Sequence, residues 1–334
     1  MPLSGSSDTG VLALIEHAVL APSSHNTQPW RFTRDGETLE LRADRNRSLP
    51  VNDPDDRELT ISCGCALMNL RIAVAQQDLA GEIELLPDSG QSDRLARLTI
   101  AGRSASRLPE AELFASIARR RTYRRRFSPQ SVSAEAIARL ADAARIEGAW
   151  LRPLSAEASR RRAAALVAKG DAVQWANASW RRELATWLHP QRAGDGLAMP
   201  GPVGPVAQLV VRTFDMGRGA GARDEELAVS SPLLAIVGTQ RDDPHAWLCA
   251  GQALQRVLLA ACELGLQGSY LNQPVQVAAL RPQLALLAGG GAPQILLRLG
   301  YPTEDVAAAP RRRAAEVFGH PVAAAPTRAF PSPR

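Results

Sequence analysis

Nine residues near the start of the chain, Pro22-Ser23-Ser24-His25-Asn26-Thr27-Gln28-Pro29-Trp30, gather hydroxyl, amide and imidazole groups into one short segment. Its two prolines restrict the backbone, and its polar side chains supply donors and acceptors. Such a loop suits a flat, polar, anionic ligand that needs many orienting contacts. On composition alone it reads equally well as an ordinary turn closing a helix at Ala21-Pro22. Two arginine-rich stretches could hold the anionic part: Arg119-Arg120-Arg121-Thr122-Tyr123-Arg124-Arg125-Arg126-Phe127, and Pro310-Arg311-Arg312-Arg313 downstream of Gly300-Tyr301-Pro302. Forked guanidinium groups match the oxygens of a phosphate. The triplet Arg160-Arg161-Arg162 has no comparable surroundings and reads as a solvated helix face.

These residues need elements to position them. Val11, Leu12, Leu14, Ile15, Ala18 and Val19 recur at helical spacing, and Leu39-Glu40-Leu41-Arg42-Ala43 alternates as a strand does, so the polar loop joins a helix to a strand. Leu113, Phe114 and Ile117 predict a helix leading into the first arginine stretch. The chain also resembles itself. Asp56 to Leu67 is similar to Asp243 to Leu254, with glycines at 64 and 251, and both segments continue as apolar helices that end near Gly81 and Gly268. Leu14–Ala21 is echoed by Ile137–Ala144, and Leu95–Gly102 by Gln294–Gly300, in the same order. A duplication is predicted, with halves at 1–105 and 106–334. Glycine and proline are dense at about 188–230, which predicts a long insertion with little regular structure, placed as a lid.

With 334 residues, 45% hydrophobic and 22% charged, the chain has the composition of a globular protein with a sizeable core. No run approaching ~20 apolar residues suggests a membrane span. The first ten residues lack the parts of a signal peptide, so a cytoplasmic protein is expected. Cys63, Cys65, Cys249 and Cys262 read as buried free thiols, and the five histidines lack ligand spacing, so no structural metal is expected.

The run Pro-Ser-Ser-x-Asn-x-Gln-Pro-Trp resembles the signature loop of the nitroreductase-like flavoproteins, which bind FMN at a dimer interface. Trp247–Leu254, Leu271-Asn272-Gln273-Pro274 and Pro293–Gly300 resemble stretches of the single-chain Acg-type branch of that superfamily. The resemblance implies an α+β fold, with a mixed, mainly antiparallel sheet in each half and helices packed across a pseudo-twofold interface. It implies one FMN per chain, with NAD(P)H as transient electron donor. Pro22, Ser23, Ser24, Asn26 and Gln28 would form one wall. Arg120, Thr122 and Arg124 would hold the phosphate and ribityl oxygens, although an extra residue before Phe127 leaves the register between Arg124 and Arg125 open. Arg311 and Arg313 would close on the phosphate, and Leu271, Asn272 and Gln273 would pass beside flavin N5 through their backbone. The second half has Ala144–Trp150 where the first carries its polar loop, so the partner site is expected to be lost.

No triad, HExxH or paired-carboxylate motif is present, and no Gly-x-Gly-x-x-Gly fingerprint follows a strand. The activity implied is reduction of nitroaromatic, quinone or related small-molecule acceptors, with the chemistry carried by the cofactor and not by a protein nucleophile. The alternative is a protein that holds flavin under a closed lid with little turnover. A net charge of +5 raises the thought of nucleic acid, but aromatics are only 4% and the arginines are scattered, so none is expected. The pseudo-dimer is expected to be a monomer, with further oligomerisation left open.

Overall fold

A computed structural model describes residues 8–88, 90–189, 194–197 and 204–319. The chain runs α1 (Asp8–Ala18), β1 (Trp30–Asp35), β2 (Thr38–Ala43), α2 (Arg57–Gln76), β3 (Leu79–Leu85), β4 (Arg94–Arg103) and α3 (Phe114–Arg119). It continues with α4 (Ala134–Ile146), β5 (Trp150–Pro153), α5 (Glu157–Ala176), α6 (Ala178–Trp187), α7 (Gly204–Thr213) and α8 (Gly217–Ser230). Then come β6 (Leu233–Thr239), α9 (Pro244–Glu263), β7 (Gln267–Tyr270), α10 (Gln273–Gln276), α11 (Arg281–Leu287), β8 (Ala292–Gly300), α12 (Ala314–Val317) and β9 (Phe318–Gly319).

The strands form two sheets, ordered β3-β4-β2-β1-β9 and β5-β6-β8-β7. Written by place within each half, the four strands before β9 have the same order as the second sheet. All their neighbours pair antiparallel, whereas β9 runs parallel to β1 through Phe32↔Phe318 and Thr33↔Gly319.

Between the sheets lie α2 and α9, each 20 residues long. They pack at the glycines that the sequence repeat aligns. A Cβ on Gly64 would sit 2.9 Å from Gly251 Cα, and one on Gly251 would sit 2.8 Å from Gly64 Cα, so neither position tolerates a side chain. Cys65 Sγ then reaches Gly251 O at 3.2 Å. By length and composition α2 could cross a membrane, contrary to the sequence reading, but 94% of that window is buried here. Its first turn is anchored by Asp53, whose carboxylate accepts from the N–H groups of Glu58 (3.0 Å) and Leu59 (2.9 Å). Asp243 caps α9 by accepting from Ala246 N at 2.8 Å, ahead of Pro244 in the first helical turn.

One apolar core runs from Trp30, Phe32 and Leu41 through α2 and α9 to Leu233, Val237 and Leu297. The alternate residues of the second sheet, Leu234, Ile236 and Leu296, pack on the other face against Ala163, Ala164, Val167 and Ala228. Strand β6 is therefore buried throughout, as a strand covered on both faces must be.

The helices on that outer face correct the sequence reading of the insertion. The stretch at about 188–230 contains α7 and α8 where little regular structure was expected. Residues 190–193 and 198–203 of the expected lid lie outside the described residues. Gly217 and Gly221, read from sequence as breakers, instead let α8 approach α5. A Cβ at Gly217 would meet Trp175 Cβ at 2.9 Å, and one at Gly221 would meet Ala168 O at 3.2 Å.

Candidate functional site

A cleft of about 710 Å³ opens where the polar loop, the start of α2, the strip 120–124, the end of β7 and α10 converge under α5, α6 and α8. The loop is held in an uncommon conformation. His25, Asn26 and Gln28 all have positive φ (49°, 55° and 51°), each costing on the order of 1–3 kcal/mol unless its surroundings compensate. Those surroundings are visible. Gln28 N donates to Ser23 Oγ at 3.0 Å, and Ser24 Oγ donates to Glu58 Oε2 at 2.7 Å. Asn26 Nδ2 donates to the carbonyls of Gly196 and Pro310, both at 3.1 Å. Gln28 donates to Gly194 O at 2.5 Å, and its carbonyl accepts from Arg312 N at 2.9 Å.

Gln28 therefore ties the loop to two other segments and does not line the cleft, which corrects its expected place on the ligand wall. Its amide is consumed by backbone partners on both sides. Pro22, Ser23, Ser24 and Asn26 do line the cleft, and so do Arg120, Thr122, Arg124, Leu271, Asn272, Gln273 and Arg311. Arg313 does not. It caps the short α12, where its Nε donates to Glu316 Oε1 at 2.9 Å and its side chain is 84% exposed. Counting two residues on from Arg311 misplaced it, because the chain turns into a helix there.

The electrostatics of the arginines are unusual. Arg120 is buried, and among the described residues only its Nη2 has a partner, donating to Leu20 O at 3.2 Å; Nε and Nη1 have none there. Arg311 donates from Nε to Ala21 O at 3.2 Å and from Nη1 to Asn26 Oδ1 at 3.0 Å. Burial, and then the charge of Arg120 beside it, pushes the Arg311 guanidinium down to about 9. Burial likewise lowers Arg124. The Tyr270 hydroxyl lacks a partner and is pushed up to about 12 by burial. Among the described residues, no carboxylate pairs with Arg120, Arg124 or Arg311. Arg120 is buried, Arg311 half-buried and Arg124 exposed; a buried cation without a counter-ion costs several kcal/mol, and an anion is what this end of the cleft lacks.

At the other end the cleft is polar and acidic. Gln273 Nε2 donates to Asp224 Oδ2 at 2.8 Å and to both oxygens of Asp171 at 3.3 Å. Burial first, and Asp224 second, push the Asp171 carboxyl up to about 7; burial also raises Asp224. His25 is pushed down to about 4 by burial. The roof is fastened at Glu183, whose carboxylate accepts from the N–H groups of Val51 and Asn52, both at 2.8 Å. Trp180 Nε1 donates to Asn52 Oδ1 at 2.9 Å.

The chain is 33% identical over 321 residues to "Putative NAD(P)H nitroreductase Rv3131" of Mycobacterium tuberculosis, covering 93% of this chain and 91% of that protein. It belongs to the nitroreductase-like family. Acg of the same organism, named an NAD(P)H nitroreductase with the same qualifier, is 28% identical over 322 residues, covering 92% of this chain and 95% of its own. No family model matches the chain. Among solved structures, the FMN- and NADPH-dependent nitroreductase NfnB from Sphigopyxis sp. strain HMH is similar over 63% of this chain and 99% of its own, at 19% identity and a TM-score of 0.42.

Within this nitroreductase-like chain, sequence reasoning missed Glu58, Asp171, Gln174, Trp180, Asp224, Tyr270 and Arg298, which also line the cleft. Asp171 and Gln174 did carry a signal, as polar residues on a helix face otherwise lined by Ala163, Ala164 and Val167. The segment expected beside a flavin ring is also narrower than predicted. The Leu271 N–H is already bonded to Leu296 O at 2.9 Å, which leaves Asn272 and Gln273.

Proposed function

We propose that this chain is an FMN-dependent oxidoreductase that takes electrons from NAD(P)H and reduces nitroaromatic, quinone or related acceptors at one site. The observation that carries the reading is a group of three arginines with no carboxylate partner among the described residues, Arg120 buried, Arg311 half-buried and Arg124 exposed, in the same cleft as the Pro22–Trp30 loop. The orphaned Nε and Nη1 of Arg120 fit a phosphate. Arg311 and Arg124 would share that phosphate and the ribityl oxygens, with Thr122 as a hydroxyl partner. FMN, when bound, supplies hydride transfer to and from its ring. The protein's own part is to fix the ring against Asn272, Gln273 and the loop, and to exclude water with Trp180, Leu184 and Leu227 of the roof.

The chain acts in this reading as a single-chain pseudo-dimer, its halves meeting near residue 105. Support comes from the shared strand order of the two sheets and from the crossing of α2 and α9 at Gly64 and Gly251. One site per chain follows. Residues 19–29 separate α1 from β1, but only residues 147–149 separate α4 from β5, so the second half has no loop to form a wall. The partners are a small-molecule acceptor and the nicotinamide donor, with no nucleic acid and no obligatory second chain.

A second reading, in which FMN is held with little turnover, is favoured by the Glu183 and Trp180 contacts that pin the roof to residues 51–52. A visible spectrum of the purified protein, followed anaerobically as NADPH and then NADH is added, separates the two. Rapid bleaching of about one flavin per chain supports the reductase. A band that only dithionite bleaches supports the holding role. A protein that is colourless and takes up no added FMN overturns both.

A further inference from the structure

The acidic end of the cleft has no part in holding a cofactor. Asp171 on α5 and Asp224 on α8 are far apart in sequence, yet both reach the amide of Gln273, the residue whose backbone belongs to the segment expected at the ring's reacting edge. One amide donates to oxygens of both carboxyls and so gathers the two groups at one point of the cleft. That donor favours their charged forms, and it is burial, with the charge of Asp224 beside Asp171, that works the other way. The other charges facing the pair are Arg223 on α8 and Arg298 on β8. Arg298 is 1% exposed and lines the same cleft. Its Nη groups are spent on the carbonyls of Arg125 and Tyr123, and its Nε has no partner. Gln273 Oε1 is also buried without a partner. The cleft thus offers, beside the two carboxyls, an unsatisfied donor and an unsatisfied acceptor among the described residues to whatever enters beside the ring.

We propose that Asp171 and Asp224, bridged by Gln273, are the proton donor to the acceptor during its reduction. This rests on the flavin-reductase reading above. Reduction of a quinone by hydride needs one proton as well: quinone, hydride and proton give the hydroquinone, and NAD(P)H is oxidised to NAD(P)⁺. For a nitro group the same hydride and proton give the nitroso compound and water. In each case the proton leaves the Asp171–Asp224 pair for the acceptor oxygen, and solvent restores it after product leaves. Burial, and then the charge of Asp224, push the Asp171 carboxyl up to about 7, the range in which a proton donor must work.

The test uses the full chain with FMN bound, as wild type, Asp171→Asn and Asp224→Asn. Ferricyanide, which takes electrons without a proton, serves as the reference acceptor. The expected result is a quinone-to-ferricyanide turnover ratio about 100-fold lower in each variant, with flavin stoichiometry unchanged. Wild-type quinone kcat falls as pH rises through about 7, and both variants lose that limb. Carboxyl ¹³C NMR of wild-type apoprotein gives a readout independent of turnover and of variant folding: one of the two groups titrates near neutrality. The proposal is overturned if the variants keep the ratio within threefold with the same pH limb, or if both carboxyls titrate in the ordinary range. A wild-type protein that binds no flavin sinks the underlying reading instead, and is recognised by its missing visible band.

Discussion

The molecule holds two groups of arginines, each with one buried member, and treats them differently. Arg71 on α2 and Arg256 on α9 share Glu147, at 2.5 Å and 2.6 Å, and each also reaches Glu110 Oε1 at 3.2 Å. Arg71 additionally donates to Gln252 at 2.9 Å. Arg120, Arg124 and Arg311 have carbonyls, an amide or nothing. Glu147 stands just after α4, in the short connection to β5. One group carries its counter-ions in the fold; in the proposed reading the other leaves them to a ligand. A buried charge therefore marks a binding site only when the protein has not neutralised it.

The largest test of this contrast is the double change Arg120→Ala with Arg311→Ala. Two lost charge-assisted hydrogen bonds at about 1.5–3 kcal/mol each should weaken FMN binding on the order of 10²- to 10⁴-fold by fluorescence titration. Unchanged occupancy would remove the phosphate assignment. Arg256→Ala should do the reverse, costing roughly 3 kcal/mol in urea unfolding because Glu147 loses a buried partner, with FMN affinity unaltered. Inorganic phosphate at about ten times its Kd should stabilise the apoprotein by about 1.4 kcal/mol in calorimetry. Arg256→Ala should keep that gain and the double variant should lose it.

Smaller effects sharpen the contrast from the acidic end. The folded-state value for Asp171, about 7, lies above its unfolded one, so the protonated carboxyl stabilises the native state in acid. That contribution is lost as pH rises through about 7. The stability of Asp171→Asn relative to wild type should therefore rise between pH 5 and pH 8 in urea unfolding of the apoprotein. Smallest of all, Arg313→Ala should leave FMN affinity within about twofold, since its partner is Glu316 and it stands outside the cleft.

Much of the basic end was legible in the sequence, because the loop and the 120–124 strip are contiguous and carry their chemistry in residue types. The helices α2 and α9 were legible through their repeat. The insertion was not. Gly217 and Gly221 are residues that break chains in one context and allow close helix packing in another, and only the presence of α5 decides which. Asp171 stood out as a polar residue on an apolar helix face, but its pairing with Asp224 was invisible for a related reason: their proximity is made by that same helix contact and by Gln273, which no local pattern encodes. Gln28 and Arg313 were misplaced because spacing along the chain says nothing of which way a turn faces.

Strand β9 has a temporal consequence. It is made after every other strand, yet it completes the edge of the first sheet beside β1. The segment leading to it carries Arg311 past Ala21 and Asn26. On a ribosome adding ~5–20 residues per second, roughly 15–60 s separate the emergence of β1 from that of β9. Until then the nascent chain holds a polar loop without its clamp, so in the proposed reading, where Arg311 helps seat the cofactor, loading belongs to the end of synthesis.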